Sequence, residues 1–326
     1  MRPIGPLVAV AVVLLAHAAR AEEEKKEEEK KEATESKGLV DLEVVVGGGQ
    51  VEALNPVPGS TTSGQLRYER ALTDTIASGI VLSGRYDLSK EVNLGVRFPV
   101  AVASLMPDGA LSRTTANLGN IELELEWEKE LGEHAEIFLG AHLALPTASG
   151  SELPSEAELA GDQSGVDPVS ADKFAVNHAV ATAYGDENNA LWLAGYIGVV
   201  PAAGVKLRFG RLRIEPYVKV ENMFSIRKDA QEKAIVELDA GGRVSVTVAS
   251  FPAEAKEKTS FDVGVRAWGS FTLTDHEGDL NIGVVEPELR IGGERWRVTA
   301  GVLVPFVGET RDQGWISGRL SGTVAF

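Results

Sequence analysis

Cysteine is absent from the 326 residues. That absence excludes a disulfide scaffold, thiol catalysis and cysteine-ligated metal sites, so a fold of this size must rest on a hydrogen-bonded framework. Long apolar runs are nearly absent as well. Leu7 to Ala16 is apolar but falls short of the roughly 20 residues a spanning helix needs. Ala190 to Ala203 is broken by Gly195, Gly198 and Pro201. A helical membrane protein is therefore excluded, whereas a barrel is not, because alternate residues of its strands face the lumen and hide from hydropathy. Basic residues are outnumbered, 32 against 48 acidic, and the net charge of -16 argues against nucleic acid or an anionic surface as a partner.

Histidine is scarce, with His17, His134, His142, His178 and His276 making up the set of 5. His17 belongs to the N-terminal apolar segment, and His134 and His276 fall in turns. His142 and His178 lie on opposite parities of their expected strands, so no Ser-His pair assembles. Gly47-Gly48-Gly49 does not precede a helix and reads as a strand exit, not a phosphate loop. The acids between Pro146 and Asp172 are too scattered for a calcium loop. The expectation is a non-enzyme with no catalytic residue, no metal and no cofactor.

What is present is alternation. Ile316, Gly318, Leu320, Gly322, Val324 and Phe326 share one face, and Ser317, Arg319, Ser321, Thr323 and Ala325 the other. Such alternation over about ten residues matches a tilted strand crossing a bilayer. Met1-Arg2, the apolar run and Ala19-Arg20-Ala21 follow the pattern of a secretory signal peptide, expected over residues 1–21. Residues 22–38 carry EEEKKEEEKKEATESK, a charged segment with no apolar face, expected as a periplasmic tether.

Over residues 39–326 the expectation is all-β: an antiparallel up-and-down transmembrane β-barrel of about 14 strands, with 12 to 16 open, read from turn-separated alternating segments. The segments Val176 to Tyr184, Leu191 to Val199 and Val205 to Phe209 each count as a strand in that reading. With both termini in the periplasm, Ala101 to Ala116, Pro146 to Asp172, Thr274 to Asp279 and Val307 to Gly314 become outer loops. Asp87 to Lys90, Leu131 to His134, Gly185 to Asn189 and Gly292-Gly293 become inner turns. Tyr86, Phe98, Trp127, Tyr184, Phe209, Phe261, Phe271, Trp296, Phe306 and Phe326 fall on the apolar parity near strand ends, as interfacial girdles do.

Glu122, Glu124, Glu126 and Glu128 alternate with Ile121, Leu123, Leu125 and Trp127. If the apolar set faces lipid, all these carboxylates face the lumen. There they either set ion selectivity or pair with basic residues of lumenal parity: Arg85, Arg97, Arg213, Lys219, Arg266, Arg290, Arg295, Arg297 and Arg319. Arg213, Arg295 and Arg297 are the basic candidates for a selectivity role.

RYDLSKEVNLGVRFP (Arg85 to Pro99), NLGNIELELEWEKEL (Asn117 to Leu131) and LALPTASG (Leu143 to Gly150) occur in that order. Together they resemble a broad family of proteobacterial outer-membrane barrels, transporter-like or of the meta-pathway phenol-degradation type. The likeness covers about a quarter of the chain. Where that family commonly has aspartate after the glycine, this chain has Asn120, and Ala148-Ser149 separates Thr147 from Gly150. The resemblance implies a barrel and uptake of small hydrophobic compounds, and it carries over no binding residue.

The combined expectation is a protein exported to the cell outer membrane that allows passive or facilitated passage of small solutes, hydrophobic compounds among them. The alternative is a non-conducting structural or anchoring barrel that holds a partner through its tail or acidic loops. Outer-membrane lipid and the barrel-assembly machinery are the expected partners, with Phe326 as the assembly signal.

Overall fold

Strands form where apolar and polar residues alternate, and the alternation also decides which side chains meet water or lipid. The computed structural model describes residues 38–326, except 63–64, 162, 228–229, 231, 253–257, 275–281 and 294. The expected signal peptide and all but the last residue of the expected tether lie outside the described residues. The strands are β1 (Gly38–Thr62), β2 (Gln65–Asp87), β3 (Val92–Met106), β4 (Arg113–Leu118), β5 (Ile121–Glu130), β6 (Ala135–Leu145) and β7 (Tyr196–Phe209). They continue as β8 (Leu212–Ser225), β9 (Ala234–Pro252), β10 (Lys258–Thr272), β11 (Ile282–Gly292), β12 (Trp296–Val307) and β13 (Ile316–Ala325).

Neighbouring strands pair antiparallel, and β13 returns to β1 in the register Leu39 to Ala325 through Gly48 to Ile316. All strands but β4 form this closed ring, 12 of the 13. β4 pairs with β3 across Val100–Leu105, while β5 takes the same edge of β3 across Val92–Arg97. A closed ring leaves no unpaired edge along its hydrogen-bonded wall, the condition for crossing a bilayer with strands.

The outer face is apolar. On β2, Leu72, Ile76, Ile80 and Leu82 are exposed, while Thr73, Thr75, Ala77 and Val81 between them are buried inward. Ile316, Leu320 and Val324 repeat the pattern on β13, and Phe326 just beyond it, with Ser317 and Arg319 inward. This is inside-out relative to a water-soluble sandwich and matches a lipid-facing belt. No helix among the described residues is long and apolar enough to cross a membrane.

Fourteen expected strands become twelve in the ring for identifiable reasons. Val176 to Ala183 is helical and Tyr184 caps it: α2 (Pro168–Ala183) follows α1 (Glu156–Ala160) and precedes α3 (Asn189–Trp192). The segments expected at Leu191 to Val199 and Val205 to Phe209 merge, because β7 starts at Tyr196 and runs through Pro201 to Phe209. The loop expected at Ala101 to Ala116 shrinks, since β3 continues to Met106 and β4 begins at Arg113. Gly47-Gly48-Gly49 is no exit but the interior of β1.

Short turns at Leu88 to Glu91, Leu131 to His134 and Gly210-Arg211 share one end of the ring with Gly38 and Phe326, whose backbones bond to each other. The opposite end carries the connection from Pro146 to Gly195. Gly185 to Asn189, expected as an inner turn, is part of that connection and lies against the lumenal wall. Tyr184, expected in a girdle, is buried with it.

Candidate functional site

The inserted connection enters the lumen as a helix because its start is capped. The Asp167 side chain accepts from the Val169 and Ser170 amides, and Pro168 takes the first turn, where its missing N–H costs nothing. Most of α2 from Ala171 onward is buried. It packs on Val45, Val51, Ala53, Ala77, Val81, Ala101 and Ala103, a small apolar patch of the inner wall of β1, β2 and β3. Gly79 is where the approach is tightest. A Cβ there would lie 2.5 Å from the Tyr184 ring and 2.6 Å from Val180. Trp192 and Tyr184 close the apolar cluster with ring centroids 5.4 Å apart.

Asn120 supports the returning limb. Its side-chain amide donates to the Ala190 and Leu193 carbonyls at 2.8 Å each, and its Oδ1 accepts from the Ala148 amide at 3.0 Å. Aspartate could accept the third bond but not donate the other two when ionised. The asparagine that departs from the resembled family's pattern is thus the residue this loop needs.

The tip of the insertion, Gly185 to Asn188, meets a different wall. Gly185 and Asp186 both have left-handed φ, 69° and 51°, which turns the chain sharply. Trp268 Nε1 donates to the Gly185 carbonyl at 3.0 Å, and Thr310 donates to Asp186 at 3.1 Å. The Glu187 carboxylate is held by the Arg266 guanidinium and accepts from the Tyr217 hydroxyl at 2.9 Å. Arg319 Nη2 lies 3.5 Å from its other oxygen. Asn188 accepts from Lys219 Nζ at 2.7 Å, and that ammonium also meets Glu221 at 2.7 Å and Asp239 at 3.0 Å. Glu221 and Glu237 reach onward to the amides of Ala190 and Asn189. Burial raises the Asp186 carboxyl to about 6, partly opposed by His178 and the Thr310 hydroxyl.

Beside the tip lies a cavity of about 270 Å³, lined among others by Arg97, His142, Tyr217, Lys219, Arg266 and Arg319. Of the glutamate ladder, Glu126 lines it, and the other three continue along the same strand. Glu122 is buried and accepts from Arg97 at 3.0 Å, with Glu124 at 3.7 Å from the same guanidinium. Glu126 and Glu128 meet Arg85 at 3.2 and 3.6 Å, and Glu128 also meets Lys206 at 2.9 Å. Donor atoms of Glu122, Glu124 and His142 converge within 4.8 Å, but Arg97 already brings a positive charge to the same carboxylates. Of the basic selectivity candidates, Arg213 is half-buried on β8, and Arg295 and Arg297 are exposed at the start of β12. None of the three lines the cavity. Phe326 faces outward.

Sequence reasoning missed Glu187, Tyr217, Trp268 and Asp186. Glu187 was hidden in an expected solvent turn, and only Asp167-Pro168 and the run of alanines signalled that a helix leads to it.

Fold and site together define a closed β-barrel with an apolar outer belt and a lumen crossed by its own inserted segment. No protein-family model matches the chain, and no curated protein does. Similar solved structures include an outer membrane channel from Pseudomonas putida F1, 11% identical, covering 91% of this chain and 98% of that one, with TM-score 0.47. LpxR from Salmonella typhimurium is 14% identical over 88% and 100% of the two chains, TM-score 0.42. The translocator domain of autotransporter NalP from Neisseria meningitidis is 11% identical over 96% and 98%, TM-score 0.40. At these scores none of them assigns this barrel a function.

Proposed function

We propose that the chain resides in the bacterial outer membrane and lets small solutes pass through its lumen, with residues 146–195 acting as the gate. The observation that carries this reading is the closed ring with lipid-compatible residues outside and ionisable residues inside. A polar lumen is the arrangement a passage needs. The salt-bridged contacts of Glu187 and Lys219 favour a second reading, a barrel that stays shut and serves as an anchor.

Planar-bilayer conductance and sugar flux into liposomes separate the two. Passage predicts resolvable steps, more frequent once the insertion is loosened. Folded protein with neither steps nor flux, before and after loosening, leaves the anchoring reading. In a conducting protein, Glu124→Gln with Glu126→Gln is expected to lower any cation preference, because both carboxylates border the lumen. The proposed assembly role of Phe326 is independent of both readings.

A further inference from the structure

We propose that Arg266, Arg319 and Tyr217 form a binding site for a small organic monocarboxylate, which the Glu187 side chain occupies as an internal stand-in. The solute's arrival rests on the passage reading above; the binding itself does not.

The site already holds a carboxylate in a built environment. One Glu187 oxygen takes the Arg266 guanidinium and the Tyr217 hydroxyl at 2.9 Å, and the other lies 3.5 Å from Arg319. The two guanidiniums are flanked by aromatic faces. Trp268 lies 5.0 Å from Arg266 and 5.8 Å from Arg319, and Tyr217 lies 5.8 Å from Arg266. Such rings hold the arginines in place and offer a solute an apolar wall. Arg266, Arg319 and Tyr217 all line the adjacent cavity of about 270 Å³, so a ligand there reaches the same donors.

The partners left to the two guanidiniums select an anion of one charge. Arg319 has wall carboxylates at 3.5 Å (Glu286) and 3.9 Å (Glu43), and Arg266 has Glu286 at 3.8 Å. Glu187 is the one carboxylate of this group that the wall does not supply. Glu43 and Glu286 match the two guanidiniums in charge, but withdrawing Glu187 leaves the buried Arg266 with Glu286 at 3.8 Å in place of a hydrogen-bonded carboxylate, and a buried donor left unpaired is unfavourable. A solute carboxylate restores that contact. A dianion would meet Glu286 and Glu43 at close range, and a neutral solute would offer Arg266 no carboxylate. The tip is also suited to exchange, because polar contacts and two left-handed residues hold it there, in place of the packed apolar surface that anchors α2.

The test is calorimetric titration of benzoate into the full-length folded protein at pH 7, with benzyl alcohol as the neutral counterpart. Glu187 competes at an effective concentration in roughly the millimolar range, so Glu187→Gln is expected to tighten benzoate binding about tenfold or more. Tyr217→Phe in that background is expected to weaken it again, and benzyl alcohol is expected not to bind. Equal benzoate affinity in wild type and E187Q, or benzyl alcohol binding as tightly, overturns the proposal. If E187Q does not reach the heat-shifted folded form on gels, Glu187→Asp withdraws the carboxylate while keeping its charge. Unchanged affinity in that variant also overturns it. Liposome flux of a neutral sugar is read in parallel. Benzoate binding without flux supports the site and rejects passage, whereas flux without benzoate binding does the reverse.

Discussion

Two parts of the inner wall hold the same inserted segment by different physics. Along β1, β2 and β3 the wall is Val45, Ala53, Ala77, Val81 and Ala101, and α2 lies on it through Ala175, Val176, Ala179 and Val180. On β8, β10 and β13 the wall is Lys219, Tyr217, Arg266, Trp268 and Arg319, and the tip meets it through hydrogen bonds and ion pairs. Apolar contact is non-directional and has no small soluble competitor that reproduces it. Ionic contact is directional, responds to pH, and can be taken over by a solute of the right charge. The first wall thus fixes where the helix stands, and the second decides whether its tip stays.

The largest way to break this contrast is Trp192→Ala. Trp192 is fully buried in the apolar cluster, and truncation of such a ring costs about 3–5 kcal/mol. Protease cleavage within residues 146–195 should then appear while the barrel keeps its heat-shifted gel mobility. Gly79→Val comes next. A side chain there overpacks Tyr184 and Val180 at about 1–3 kcal/mol, and cleavage should rise by less than in W192A.

The smallest effect, on the ionic wall, is Asp186→Asn, since asparagine tolerates the left-handed φ. The Asp186 carboxyl is raised in the folded state from 3.8 to about 6. Its contribution to the seated tip is therefore full below pH 3.8 and is lost as pH rises through about 6. Wild type should resist cleavage more at pH 5 than at pH 7, and D186N should reduce that difference. Trp192→Ala and Gly79→Val should shift cleavage at both pH values and leave the difference in place. If an apolar variant removed the pH response, the two walls would not be separable.

Strands whose two faces meet different surroundings were legible. Leu72, Ile76 and Ile80 face outward on β2, and Leu320 and Val324 do so on β13, as period-two alternation requires. The lumenal direction of Glu122 followed from the same rule. α2 was not legible as a helix for the opposite reason. Ala175, Val176, Asn177, Ala179, Val180 and Thr182 are all buried and His178 alone is exposed between Ala171 and Ala183, so the helix is enclosed on most sides and shows no amphipathic stripe. Its alternate residues then mimicked a strand, and the count rose to fourteen. Glycine misled similarly at Gly47 and Gly49, which stay within β1 because side chains from elsewhere, Ser317 and Trp315, fill the space a Cβ would take.

The amino-acid sequence by itself determined the class of fold and the direction of its strand faces, because alternation is a local property that lipid on one side and water on the other both enforce. Tertiary structure alone decided that a helix enters the lumen, that Asn120 ties its return, and that Glu187 lies between Arg266 and Arg319. Those contacts join residues far apart in the chain, and ring closure brings them together where no local pattern records it.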